Sequence, residues 1–206
     1  MILIVCALAA ELRAFAPRAG VEVLAAGIGC VEAAAATARQ LARAPYAAVL
    51  NVGLGGAFRG SAAIGDAILI THETLADFGL EGGASLTLPK GATLVEHVAA
   101  DAHLLDVCRD LGFTRARGVT VTQVTATDAT ATRLHERFGA DVESMEGFAV
   151  LRAAALAGVP ALELRGISNY VGDRRRAEWD FEAGARAATH ALGSVLDRLE
   201  HGRNSP

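Results

Sequence analysis

Two hydrophobic patterns alternate along the chain. Short runs that are apolar at nearly every position and rich in Val and Ile predict largely buried strands. These are ILIVCAL (2–8), VEVLAAG (21–27), AAVLNVG (47–53), DAILITH (66–72), GVTVTQV (118–124) and VPALELRGIS (159–168). Segments with helical spacing lie between several of them: VEAAAATARQLARA (31–44), DAHLLDVCRDLG (101–112), TATRLHERFG (130–139), MEGFAVLRAAALAG (145–158) and a closing amphipathic stretch, 181–202. Strand and helix trading places predicts a layered α/β fold with a sheet between helices. Gly79 to Ala92 carries neither signal and reads as a surface excursion, and the trailing GRNSP reads as a frayed end. No linker rich in Pro or Ser and no repeat divides the chain, so residues 1–206 read as one domain.

Composition narrows the class. At 52% hydrophobic and 20% charged, 206 residues can bury a substantial core. A formal net charge of -4 lacks the positive field that a phosphate backbone requires, which argues against a nucleic-acid partner. No apolar run approaches the roughly 20 residues that cross a bilayer. The apolar N-terminus is interrupted by Glu11 and Arg13 and has no basic segment before it, so it reads as a buried strand and not a signal. Cys6, Cys30 and Cys108 are odd in number, widely spaced and without nearby His, which suggests neither disulfides nor a metal site and fits a reducing cytoplasm.

In α/β sheets ligands sit outside the carboxyl ends of the strands, so candidate chemistry is sought there. ALAAEL places Glu11 one turn past the first strand, where it also fits an ordinary first-turn carboxylate. GIGCVE begins like a dinucleotide fingerprint, but Glu32 stands at the third glycine and would repel a pyrophosphate, so no nucleotide cofactor is expected and Gly27 and Gly29 fit a structural turn. In NVGLGGAF, Gly53, Gly55 and Gly56 allow close backbone approach to a ligand, although a tight turn explains the pattern equally well. In ESMEG, Glu143 and Glu146 are three apart and could share a helix face. The strand starting at Val159 ends in the polar cluster Ser168, Asn169 and Tyr170. The six histidines are scattered over unrelated elements and none is assigned to catalysis.

Taken in order along the chain, the early Glu, GIG, NVGLGGAF followed by IGD, ESMEG and GISNYVGD resemble the nucleoside phosphorylase and nucleosidase superfamily over nearly the whole length. Within it, ESMEG, ELRGISNYVGDR and LADFGLE (75–81) look most like the futalosine hydrolase family of menaquinone biosynthesis. The resemblance implies a three-layer α/β/α sandwich around a mixed sheet, no cofactor, and a homodimer or larger homo-oligomer with the pocket near a subunit contact, where Phe78 could reach a neighbouring site. It implies a nucleoside substrate attacked by water that Glu11 activates, a ribose held by Met145 and Glu146, and a purine contacted by Asn169 beside Ser168. The glycine loop Gly53, Leu54, Gly55, Gly56 and Ala57 would line ribose and base, with Gln123, Val124 and Thr125 as one wall of the base pocket.

The residue types suit that chemistry. Glycosidic cleavage develops positive charge on the sugar, which carboxylates stabilise, and a general base deprotonates the attacking water. Asn169 offers both donor and acceptor, whereas an ionised Asp only accepts. The relatives acting on 6-aminopurines carry Asp at this place, so Asn169 points to a 6-oxopurine, hypoxanthine. ALAAEL lacks the glycines and arginine of a phosphate loop and Leu54 replaces a hydroxyl, which favours hydrolysis over phosphorolysis. The alternatives are a nucleosidase for inosine or for methylthioadenosine/S-adenosylhomocysteine, a phosphorylase, and a non-catalytic nucleoside-binding protein. Arg174 to Arg176 read as a solvated charge run, with contact to a substrate carboxylate as the other option.

Overall fold

The computed structural model describes residues 1–76, 78–80, 87–173, 175 and 179–203. Its first apolar run is β1 (Ile2–Cys6), buried at every position because it lies between two parallel neighbours, β2 (Val21–Ala25) and β3 (Ala48–Ala57). The other long runs form β4 (Ala67–Leu75), β6 (Thr114–Thr120) and β8 (Ala161–Tyr170), and β5 (His97–Ala99) and β7 (Val142–Ser144) complete the sheet. β5 and β7 have three residues each, too few for an apolar run to register, and the sequence pattern missed both.

The helices fall where the spacing predicted: α1 (Cys30–Leu41), α2 (Ala102–Val107), α3 (Asp128–Phe138), α4 (Gly147–Leu156) and α5 (Phe181–Arg203). The stretch predicted as one helix from Asp101 divides into α2 and a 3-10 turn, Arg109–Leu111, closed by Gly112 at φ 75°. That left-handed conformation suits glycine and ends the helix.

The strands run β2-β1-β3-β7-β6-β4-β5, with β8 bridging β3 in parallel and β4 antiparallel. β3, β8, β4, β6 and β7 are thereby joined in a continuous hydrogen-bonded circuit. α1 and α4 cover one face over Leu3, Val5 and Val49. α5 covers the other over Ile2, Ile4 and Leu50, giving the α/β/α layering expected. Its Ala188, Ala191, Leu192, Val195 and Leu196 follow helical periodicity and are all fully buried. α5 approaches β8 so closely that a Cβ at Gly166 would stand 1.9 Å from the Gly184 carbonyl oxygen. This contact fixes the start of α5, with Phe181, beside the end of β8.

Three expected boundaries move. The glycines of NVGLGGAF are not a loop: Gly53, Gly55 and Gly56 are buried inside β3, where pairing with β8 and β7 satisfies their backbone and neighbouring side chains fill the missing Cβ positions. β8 runs two residues past the end of the apolar run at Ser168, so Asn169 and Tyr170 lie within it. β6 starts and ends earlier than predicted, so Gln123, Val124 and Thr125 follow the strand. The described parts of the 79–92 excursion have neither helix nor strand, and 81–86 lie outside the described residues. Gly202 and Arg203 belong to α5, while 204–206 also lie outside. Among the described residues no helix is long and apolar enough to cross a membrane.

Candidate active site

The ends of β1, β3, β7 and β8 surround a cavity of about 210 Å³. Glu11 reaches it from a 3-10 helix, Ala9–Leu12, just past β1. One of its oxygens, Oε2, accepts the Leu8 N–H at 2.9 Å, as a first-turn carboxylate does. The other, Oε1, crosses to β3 and accepts the Leu54 N–H at 3.1 Å, so the group is fixed from two elements. Gly53 makes this possible, since a Cβ there would lie 2.9 Å from Arg165 Nη1 and 3.0 Å from Glu11 Oε1.

Glu146 is the N-cap residue of α4 and only 7% exposed. Its Oε1 accepts the Gly29 N–H at 2.8 Å, and Arg165 Nη1 stands 3.9 Å from its Oε2. Gly29 caps α1 at φ 89°, so the GIG turn aims the start of a helix at the protein's own carboxylate. Burial raises the Glu146 pKa above the usual carboxylate value, against the pull of Arg165 and the Gly29 N–H. Glu143 does not share a helix face with it: Glu143 lies in β7, where its Oε1 accepts the Thr125 N–H at 3.1 Å and its Oε2 the Thr125 hydroxyl. That clasp sets the wall after β6, from which Val124 faces the cavity.

On the opposite side, the β3–β8 register shifts between Gly55 and Gly56, so Ser168 is an extra residue on β8. Such a bulge breaks the strict alternation of a strand, and the consecutive Ser168 and Asn169 both line the cavity. Asn169 Oδ1 accepts the Ser168 hydroxyl at 2.9 Å and its Nδ2 donates to the Tyr170 carbonyl at 3.2 Å. Each group of the amide thus keeps capacity for one more bond. Gly56 admits the amide, because a Cβ there would stand 2.9 Å from Asn169 Nδ2.

Of the residues singled out from sequence, Glu11, Leu54, Gly55, Gly56, Val124, Met145, Glu146, Ser168 and Asn169 meet around this cavity. Gly53 lies behind Glu11, Thr125 is turned to Glu143, and neither Gln123 nor Phe78 is among the lining residues described. Phe78 is 41% exposed, and Asp77 and Glu81 of its motif lie outside the described residues. Arg175 is exposed and pairs with Asp173, while Arg174 and Arg176 also lie outside. His97 and His135 bond to Thr74 and to the Ala140 carbonyl, away from the cavity.

The sequence reading missed Arg165 and Glu163. They stand two apart in an otherwise apolar strand and therefore share a face, and this is the signal that could have found them. Arg165 is 1% exposed, and Glu163 Oε1 accepts its Nε at 2.7 Å. Burial works against the guanidinium's charge, but Glu163 and Glu146 outweigh it and raise its pKa. It also missed Trp179 and Phe181, an aromatic pair with centroids 5.1 Å apart that lines the mouth.

The sequence profile of the Phosphorylase superfamily matches residues 4–199. Futalosine hydrolase of Streptomyces coelicolor is 39% identical over 189 residues, 88% of this chain and 80% of that protein.

The chain belongs to the phosphorylase superfamily, in its futalosine hydrolase branch.

A second member, futalosine hydrolase of Thermus thermophilus, is 38% identical over 91% of this chain and 86% of its own. The native structure of futalosine hydrolase of Helicobacter pylori superposes with a TM-score of 0.83 at 19% identity, covering 95% of this chain and 97% of that one. This last likeness shows that the superfamily fold is shared.

Proposed function

We propose that the cavity hydrolyses the N-glycosidic bond of futalosine and releases hypoxanthine, a step of menaquinone biosynthesis carried out in the cytoplasm. The observation that carries this reading is two carboxylates, Glu11 and Glu146, fixed on one side of a cavity whose other side presents the amide of Asn169. The two futalosine hydrolases named above support the choice of substrate.

In this reading Glu11 takes a proton from water as the water oxygen bonds to the anomeric carbon. The carbon–nitrogen bond breaks with its electron pair going to the purine, which takes up a proton from solvent and leaves as neutral hypoxanthine while Glu11 gives its proton back to solvent. Glu146 accepts from the ribose hydroxyls, and its negative charge opposes the positive charge building on the sugar. The remaining Nδ2 hydrogen of Asn169 stabilises the leaving 6-oxopurine. Leu54, Gly55 and Gly56 lie along the sugar and base, Met145 packs on the ribose, and Val124 forms a wall of the base pocket. Leu8, Ile28 and Val31 are 48%, 56% and 80% exposed, and Leu8 and Ile28 also line the cavity. This apolar rim supports a homo-oligomer with the pocket near the subunit contact, where Phe78 would meet a neighbouring site.

The test is release of hypoxanthine and a free reducing sugar from futalosine in phosphate-free buffer, with no acceleration by added phosphate. A sugar 1-phosphate product would overturn the reading. Asn169→Asp is expected to lower cleavage of 6-oxopurine nucleosides about tenfold to a hundredfold, since a carboxylate facing O6 leaves a buried acceptor unpaired at about 1–3 kcal/mol. Cleavage of 6-aminopurine analogues should fall less. The ratio of hypoxanthine-releasing to adenine-releasing activity is the measured quantity, and an unchanged ratio would show that Asn169 does not read the 6-position.

A further inference from the structure

Behind Glu11 and Glu146 lies a buried polar cluster: Glu73 on β4 with Glu163 and Arg165 on β8, none more than 1% exposed. Arg165 is held at several points. Its Nε donates to Glu163 Oε1 at 2.7 Å and its Nη1 to the Leu54 carbonyl at 3.3 Å. Its Nη2 donates to the Asn51 side-chain oxygen at 2.6 Å, in the amide orientation that also lets Asn51 donate to the Val5 carbonyl. Glu73 Oε2 accepts the Thr120 hydroxyl at 2.7 Å, and the Thr120 oxygen in turn accepts the Phe148 N–H at 2.8 Å.

One oxygen of each buried carboxyl group, Glu73 Oε1 and Glu163 Oε2, is left without a donor. Both lie over Gly147, where a Cβ would stand 2.5 Å from the first and 2.7 Å from the second. Two ionised carboxylates cannot sit together in a dry interior with an unmatched lone pair each. A single proton between them satisfies both oxygens. Burial first and the Glu163 charge second push the Glu73 pKa well above the usual range, against the pull of the Thr120 hydroxyl and Arg165. The groups facing Glu73 are Glu163 and Arg165 from β8, Thr120 from β6 and the backbone of α4 at Gly147. The residue opposite it on β5 is Val98, and Glu146 Oε2 stands 3.9 Å from Arg165 Nη1.

We propose that Glu73 and Glu163 share one proton, carried by Glu73, and that this acid–carboxylate pair positions Arg165 beneath Glu11 and Glu146. Its kinetic consequence rests on the hydrolase reading. With one proton on the pair, a single anion, Glu163, matches the single guanidinium from behind. Glu11 and Glu146 then keep a net negative field toward the sugar. If Glu73 ionised, two anions would draw Arg165 back from the Leu54 carbonyl and from Glu146, and the anchor of the site would shift.

Glu73→Leu removes the donor and is expected to lower kcat about tenfold or more, the scale of an unmatched buried acceptor, with KM changed far less. Glu73→Gln supplies an N–H in place of the shared proton and is expected to restore most of that loss. The unfolded chain loses this proton near the ordinary carboxylate range and the folded chain keeps it. Wild-type stability should therefore fall as pH rises from that range through the raised value, and Glu73→Gln should abolish that slope in urea midpoints. The decisive readout needs no substrate: the infrared band of a protonated carboxylic acid should be present in folded wild type at neutral pH and absent in Glu73→Gln. A missing band in wild type, or kinetics as poor in Glu73→Gln as in Glu73→Leu, would overturn the proposal. If the band is present while futalosine is not cleaved, the shared proton stands and the hydrolase reading fails.

Discussion

Glu11→Gln should lower kcat for nucleoside cleavage by roughly 100-fold or more, because it removes the proposed general base while keeping the volume of the side chain. The cost to folding should be modest. Both Glu11 oxygens accept backbone N–H groups, from Leu8 and from Leu54, so the amide NH2 must oppose one of them. One lost hydrogen bond of this kind costs about 1 kcal/mol. Substrate binding should change little, since in the proposed reading the purine is contacted by Asn169 and not by Glu11. Product inhibition by hypoxanthine is a convenient check that the base pocket of the variant is intact. Turnover at the wild-type level in Glu11→Gln would exclude the role.

The largest effect on stability is expected from Arg165→Met, about 3–5 kcal/mol, read as a lower urea midpoint. The guanidinium carries the buried charge that faces Glu163, and it also saturates the Leu54 carbonyl and the Asn51 side-chain oxygen. Methionine matches the length of the stem but leaves Glu163 as an uncompensated buried carboxylate. Adding Glu163→Leu should recover part of the loss by removing the uncompensated carboxylate, while the Leu54 carbonyl, the Asn51 oxygen and Glu73 stay unmatched. Activity should not return with stability in the double variant, since Arg165 Nη1 also stands 3.9 Å from Glu146. An Arg165→Met protein as stable as wild type would mean that the pair does not carry the charge balance described here.

Much of this architecture was legible in the sequence, for identifiable reasons. β1, β3, β4 and β8 carry long apolar runs that only a strand covered on both faces would have, and α5 repeats small apolar residues at helical spacing. Glu11, Glu146 and Asn169 stood out as candidates because one follows a strand, one opens a helix and one closes a strand, where ligands sit in such sheets. The glycines of β3 were misjudged because glycine signals a turn only when its backbone is free. Here Arg165, Val142 and Asn169 occupy the space of the missing Cβ atoms. β7 was hidden because VES is a strand only through its pairing with β3 and β6, contacts made with residues far away in the chain. The Glu73–Glu163–Arg165 cluster joins positions about 90 residues apart, and no local pattern links them.

The reaction proposed for this cavity is hydrolysis of a 6-oxopurine nucleoside in preference to a 6-aminopurine one. It is tested most directly by internal competition: equimolar futalosine, inosine and methylthioadenosine are incubated with the protein in phosphate-free buffer, and free hypoxanthine, free adenine and each remaining nucleoside are followed chromatographically. Futalosine is expected to disappear first with stoichiometric hypoxanthine, while adenine does not accumulate on that time scale. Adenine appearing first, or no purine released from futalosine at all, would contradict it.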